Sequence, residues 1–237
     1  MALRDWSRAL LSMIFPDVCS VCHRSLVDGE DFLCLGCLSG LPRTNIHALP
    51  FNQIHERLAM PGMLIERAGA WFWYIRGSDF RSIVHDAKYR GMWSIGRRAA
   101  ATYAREIAPD GFFDGIDMIV PVPLHRSRFL SRGYNQSEQI ALGVSDVTGI
   151  PVGHCLQAVR GHESQTRHNA TERLRNAMGI YEVIPEMKPI LQGKHVLIVD
   201  DVITTGATML ACLKAIADAA PTARLSVMSL GATRLDG

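Results

Sequence analysis

The residues best suited to chemistry lie near the C-terminus, in the run Val196-Leu-Ile-Val-Asp200-Asp201-Val-Ile-Thr204-Thr205-Gly206-Ala207-Thr208. Its apolar start reads as a buried strand, and the turn that follows opens a helical pattern. In a parallel α/β sheet this puts Asp200 and Asp201 at the carboxyl edge, where such sheets bind ligands. The backbone N–H groups of Thr205 to Thr208, at the positive end of the helix dipole, form a cradle for one phosphate. Thr204, Thr205 and Thr208 add hydroxyl donors, and Gly206 allows close backbone approach. A receiver-like or flavodoxin-like strand ending in acids is the competing reading, and the threonine-glycine continuation argues against it.

A second anion-suited segment is Val120-Pro-Val-Pro-Leu-His-Arg126-Ser-Arg128-Phe-Leu-Ser-Arg132-Gly133-Tyr134-Asn135-Gln136. A strand ends at Pro121, and a basic loop leads into the next helix. Arg126, Arg128 and Arg132 offer guanidinium forks that match phosphate oxygens, while Asn135 and Gln136 add neutral donors. Alone this would be a solvated basic turn; its place beside the acidic pair in one sheet favours an anion site. Lys88 and Arg90 can reach the same region, or can simply be surface residues at a helix end.

Four of the six cysteines form Cys19-x-x-Cys22 and Cys34-x-x-Cys37. Two tight turns can aim four thiolates at one Zn²⁺, closing a tetrahedral structural site with no position left for water. The intervening segment suits a brief hairpin around Asp28-Gly29, with His23 pointing away from the metal. The other reading is four unmetallated thiols or a redox pair. Charged Arg4, Asp5 and Arg8 argue against an export signal, so a cytoplasmic location with reduced thiols is expected. Cys155 and Cys212 are solitary and sit on apolar patterns, which places them in the core.

The elements that must position these groups follow from periodicity. Strands are expected near Ala70–Tyr74, Met118–Pro121, Gly153–Leu156, Val196–Asp200 and Leu225–Leu230, with helices at Asp79–Ala87, Ser94–Ile107, Asn135–Thr148 and Gly206–Ala219. Alternating strands and helices predict an α/β parallel sheet with helices on both faces. Residues 1–60 read as an N-terminal helix (Leu3, Trp6, Leu10, Ile14), the four-cysteine module and a connector with a short helix over Asn52–Ala59. Residues 68–237 read as the catalytic-size domain, with an exposed loop over Gly161–Ala177. Apolar content of 48% and charged content of 20% exclude a disordered chain. The apolar stretch from Ala9 to Phe15 is too short to cross a bilayer, so no membrane insertion is expected. A net charge of +2 supplies no global field for nucleic acid, leaving that role to a local patch.

Along its full length, Val196–Thr208 resembles the phosphoribosyl pyrophosphate motif of type I phosphoribosyltransferases. By that resemblance Thr204, Thr205, Gly206, Ala207 and Thr208 hold the 5-phosphate and Asp200 and Asp201 address the ribose hydroxyls. Arg126, Arg128, Arg132 and Lys88 would face the pyrophosphate, with Mg²⁺ bridging donor oxygens. The Pro-Val-Pro run with Arg132-Gly-Tyr-Asn-Gln136 resembles the ComF family. So do His85-Asp-Ala-Lys88-Tyr89-Arg90-Gly91 and the loop Glu163-Ser-Gln165-Thr-Arg167 through Arg173 to Asn176, in the same order. Family members combine a four-cysteine module with a phosphoribosyltransferase-like domain and are associated with DNA uptake in natural competence. In that setting Gln165, Arg167 and Arg173 fit a lid over the bound donor. The resemblance implies transfer of a phosphoribosyl group to an unidentified amine or nucleobase. The alternative is a non-catalytic donor-sensing or DNA-handling module whose zinc segment holds a partner protein or single-stranded DNA. Trp71 and Trp73 are compatible with nucleic acid but fit a core strand better. A donor-synthesising kinase is a weaker option, since no separate ATP site is evident.

Overall fold

A computed structural model describes residues 17–89, 93–125, 129–130, 133–159 and 179–235, with the backbone alone for 86–89. The strands are β1 (Ile65–Trp73), β2 (Met118–Pro121), β3 (Leu156–Ala158), β4 (Tyr181–Val183), β5 (His195–Ile203) and β6 (Arg224–Ala232). The helices are α1 (Leu35–Ser39), α2 (Gln53–Arg57), α3 (Ser82–Tyr89), α4 (Trp93–Ile107), α5 (Gln136–Thr148), α6 (Lys188–Leu191) and α7 (Ala207–Ala219). Among the described residues β1, β6, β5 and β2 form one sheet in that order, every pair parallel, while β3 and β4 make a separate antiparallel pair.

The central strand shows why. Val196, Leu197, Ile198 and Val199 are all fully buried, which a strand achieves only when both sheet faces are covered. Leu197 and Val199 face α4 and α5 in one apolar cluster, and Val196 and Ile198 face α7, β4 and the connector in the other. Asn135 caps α5 by accepting from the Ser137 N–H, and Gly149 ends it in the left-handed conformation at φ 72°. Where α5 crosses α4, a Cβ on Gly143 would lie 2.1 Å from the Arg97 carbonyl oxygen, so only glycine permits this approach.

Several expectations shift. The strand expected at Gly153–Leu156 is split: Val152 makes a single parallel bridge to Ile119, and the pairing strand is Leu156–Ala158, against β4. Gly153 sits against the Met118 side chain, where a Cβ would come 2.2 Å from sulfur. The helix expected from Asp79 begins as a 3₁₀ turn capped by Ser78 and becomes α-helical only at Ser82. β5 does not end at the acids but continues to Ile203, because β6 keeps pairing with it. Trp71 is buried and donates from Nε1 to Glu106, whereas Trp73 is half-buried beneath Arg234. Cys155 and Cys212 are core residues, and burial pushes the Cys155 thiol up to about 11. The expected N-terminal helix and the Gly161–Ala177 loop lie outside the described residues.

At the amino end of β5, away from the acids, His195 is fully buried, with Nε2 2.8 Å from Ser226 Oγ and 3.7 Å from Glu66 Oε2. Burial lowers its pKa, outweighing the nearby Glu66 carboxylate. The folded chain thus keeps His195 neutral, while the unfolded chain takes up a proton near pH 6.5. Stability is therefore intact above that pH and falls as pH drops, by up to about 1.4 kcal/mol per pH unit. Urea midpoints should hold from pH 8 to 7 and decline below 6.5. His195→Gln should flatten that decline, and an unchanged slope in the variant would refute the assignment.

Candidate functional site

The candidate cleft exists because β2 is short. Its last residue, Pro121, lies opposite Val199, and the Val122 N–H donates to the Val199 carbonyl. From Asp200 onward β5 has no strand partner on that side among the described residues, although it remains paired with β6. The uncovered edge opens into a cleft of ≈ 260 Å³ lined by Asp200, Asp201, Thr204 and Thr208. The segment Val122–Leu124 and the start of α5 at Asn135–Ser137 form another wall, and Tyr74 and Tyr181 complete the lining. Next to it, residues Thr204 to Met209 bound a hollow of ≈ 30 Å³.

The acidic pair is oriented by its neighbours. Ser137 Oγ donates to Asp200 Oδ1 at 2.8 Å, and the Asp201 N–H donates to the same oxygen at 2.9 Å. Asn135 is itself fixed by donation from Nδ2 to the Val122 carbonyl, so the α5 start and the β2 exit are tied together. Gly206, at φ 79°, is the N-cap of α7 and turns the chain from strand to helix. The arrangement offers carboxylate acceptors on one side and backbone donors at a helix start on the other. A polyhydroxylated, phosphorylated ligand requires both.

Asp200, Asp201, Thr204, Thr208, Asn135 and Gln136 thus come to one cleft, and Thr205, Gly206 and Ala207 to the hollow beside it. Arg126, Arg128 and Arg132 lie outside the described residues, as does the side chain of Lys88 on α3. Sequence reasoning passed over Ser137, Tyr74 and Tyr181. Only Ser137 carried a local signal, as the residue whose N–H the Asn135 cap receives.

The second site is the cysteine cluster. The sulfurs of Cys19, Cys22, Cys34 and Cys37 all lie within 4.8 Å of one another. Cys22 and Cys34 sulfurs are 3.7 Å apart, close to the ~3.8 Å edge of a tetrahedron with ~2.3 Å metal–sulfur bonds. The donor set and spacing are consistent with a zinc-binding module. A knuckle forms where Val18 bridges Ser25 and His23 adopts φ 58°; His23 is not part of the cluster. The N–H of Cys37 points at the Cys34 sulfur and holds that thiol down at about 6, while burial and the neighbouring sulfurs push the Cys37 thiol up. Glu30 accepts from the N–H groups of Val27 and Leu35 and pairs with Arg24, closing a turn at Asp28-Gly29, the place of the expected hairpin. Phe32 and Leu33, between the cysteine pairs, are buried in the same apolar cluster as Trp71 and α4.

A parallel sheet with helices on both faces and a cleft at its carboxyl edge is the architecture of an open α/β domain, to which phosphoribosyltransferases belong. The family model for the phosphoribosyl transferase domain matches residues 98–230, and the chain belongs to that family. More particularly, it is similar to proteins named for DNA utilization and for competence. DNA utilization protein YhgH of Escherichia coli (strain K12) is 29% identical over 203 residues, covering 81% of this chain and 80% of that one. Competence protein ComFC of Bacillus subtilis is 25% identical over 213 residues, covering 87% and 81%. Competence protein F of Haemophilus influenzae is 32% identical over 94 residues, covering 39% and 41%. No helix among the described residues is long and apolar enough to cross a membrane.

Proposed function

We propose that this protein handles DNA during its uptake or use, and that its phosphoribosyltransferase-fold domain binds phosphoribosyl pyrophosphate as a ligand that governs that task. The DNA role is supported by relatives named for DNA utilization and competence that align over four fifths of the chain. The ligand is supported by one observation above the others: Asp200, Asp201, Thr204 and Thr208 line a single cleft where β2 stops short of β5. In this reading the N–H groups of Thr205 to Thr208 hold the 5-phosphate, and Asp200 and Asp201 accept from the ribose hydroxyls. Arg126, Arg128, Arg132 and Lys88 take the pyrophosphate. Mg²⁺ would neutralise pyrophosphate charge beside the carboxylates. Cys19, Cys22, Cys34 and Cys37 hold a structural Zn²⁺, and the module they brace contacts single-stranded DNA or a partner protein.

Transfer of the phosphoribosyl group is the second reading, favoured by the carboxylates beside the anion cradle. The anomeric carbon becomes cationic as pyrophosphate leaves, and Asp200 and Asp201 would stabilise that charge electrostatically. One experiment separates the two. The protein is titrated calorimetrically with phosphoribosyl pyrophosphate and Mg²⁺, then assayed for pyrophosphate release with each nucleobase. In parallel, a deletion strain carrying wild-type or Asp201→Asn protein is scored for labelled DNA uptake. Binding without release, with uptake lost in the variant, is the expected result. Release with one base would establish transfer instead, and absence of binding would remove the ligand from both readings.

A further inference from the structure

The turn read as a phosphate loop is braced from behind by the connector, a segment with no sequence motif of its own. Helix α2 is fastened first. Asn52 is buried, caps the helix by accepting from the Ile54 N–H, and donates from Nδ2 to the carbonyls of Ile46 and Ala68, the latter on β1. From the end of this anchored helix Arg57 reaches across to the site. Its Nη1 donates to the Ile203 carbonyl at 3.1 Å and to Thr233 Oγ1 at 3.2 Å, and Nη2 donates to the Thr233 carbonyl at 2.7 Å. Thr233 Oγ1 in turn donates to the Thr204 carbonyl at 3.2 Å. The adjacent Leu58 presses on the turn so closely that a Cβ on Gly206 would meet Leu58 Cδ2 at 2.7 Å and Arg57 Cγ at 3.1 Å.

The Thr233 N–H also donates to the Ile203 carbonyl, at 3.1 Å, and together these contacts set which way the loop's donors face. In a trans peptide the C=O and the following N–H point in opposite directions, and the described residues contain no cis bond. Holding the carbonyls of Ile203 and Thr204 toward Arg57 and Thr233 turns the N–H groups of Thr204 and Thr205 the other way. A fork that grips two main-chain carbonyls at once is a task for guanidinium, since an ammonium is a single point donor.

We infer that Arg57 is a positioning residue of the phosphate loop: with Thr233 it fixes the carbonyls of Ile203 and Thr204 and so preorganises the Thr204 and Thr205 amides at the start of the loop for an anion. The inference rests on reading that turn as the phosphate loop, and its test keeps the two claims apart. Arg57→Gln, Arg57→Lys and the wild type are compared by hydrogen exchange at the amides of 204–208 and of 196–199, and by calorimetric titration with ribose 5-phosphate. Arg57→Gln should speed exchange at 204–208 by on the order of tenfold and leave 196–199 protected. It should also weaken ribose 5-phosphate binding by about tenfold, as loss of one preorganising charged hydrogen bond does. Arg57→Lys should recover part of both effects. Unchanged exchange at 204–208 overturns the inference, and so does equal acceleration at 196–199, which marks a general loss of structure. Failure of the wild type to bind ribose 5-phosphate would overturn the ligand reading alone, because exchange still reports on the loop. If Arg57→Gln does not fold, Thr233→Val, which removes the hydroxyl shared by Arg57 and the Thr204 carbonyl, gives the same comparison.

Discussion

Changing both Asp200 and Asp201 to asparagine should abolish binding of phosphoribosyl pyrophosphate in the presence of Mg²⁺ while leaving the fold intact. Asparagine matches the carboxylate in shape but lacks its charge and one acceptor oxygen, so the variant isolates chemistry from packing. Both side chains are partly exposed at the cleft and neither belongs to an apolar cluster, so the sheet does not depend on their charge. Each charge-assisted hydrogen bond to a ribose hydroxyl contributes about 1.5 to 3 kcal/mol, so a single change should weaken binding by roughly 10- to 100-fold. The double change also removes the anionic side of a Mg²⁺ site, and the loss should exceed about 1000-fold. Asp200→Asn can still accept from Ser137 and from the Asp201 N–H through its remaining oxygen, which keeps the local geometry. Calorimetry with the donor, run beside a thermal melt, makes the measurement. Unimpaired affinity in the double variant would remove these residues from the site.

The second large effect concerns the cysteines. Purified protein should carry one zinc per chain, and its removal by a strong chelator, or the change Cys34→Ser, should melt residues 17–41. Regular structure there is slight, a single bridge from Val18 to Ser25 and the five-residue α1, and the remaining hold is the packing of Phe32 and Leu33 and a few side-chain hydrogen bonds. Metal binding by such modules is itself the folding free energy, about 10 to 16 kcal/mol in isolated zinc-finger peptides. Melting would pull Phe32 and Leu33 out of the cluster they share with Trp71 and α4, a loss on the scale of about 3 to 5 kcal/mol for a buried aromatic side chain alone. The ring centroids of Phe32 and Trp71 are 6.4 Å apart, so tryptophan fluorescence should change as zinc leaves. A chelated protein with unchanged fluorescence and melting temperature would show that the sulfurs hold nothing structural.

The parts of this molecule visible in one dimension are those whose causes are local. A continuous apolar run names a doubly covered strand, and the helix expected over Asn135–Thr148 agrees with α5 within a residue, its ends set by the Asn135 cap and by Gly149. The cysteine spacing places four sulfurs together because each pair needs only a tight turn. The threonine-glycine turn belongs to the same group, since a strand that passes directly into a helix needs only a local turn, here at Gly206.

What stayed hidden depends on pairings between distant residues. The cleft is opened by register, with Pro121 stopping opposite Val199, and no count of apolar residues reveals where one strand ends against another. Asp200 and Asp201 therefore read as a strand end, when they are mid-strand acids exposed by a short neighbour. Ser137 meets Asp200 across 63 positions, and Arg57 reaches Ile203 and Thr233 across 146 and 176. Such contacts arise from how the sheet stacks its elements, and side chains that meet only after folding leave no periodic trace in the order of the residues.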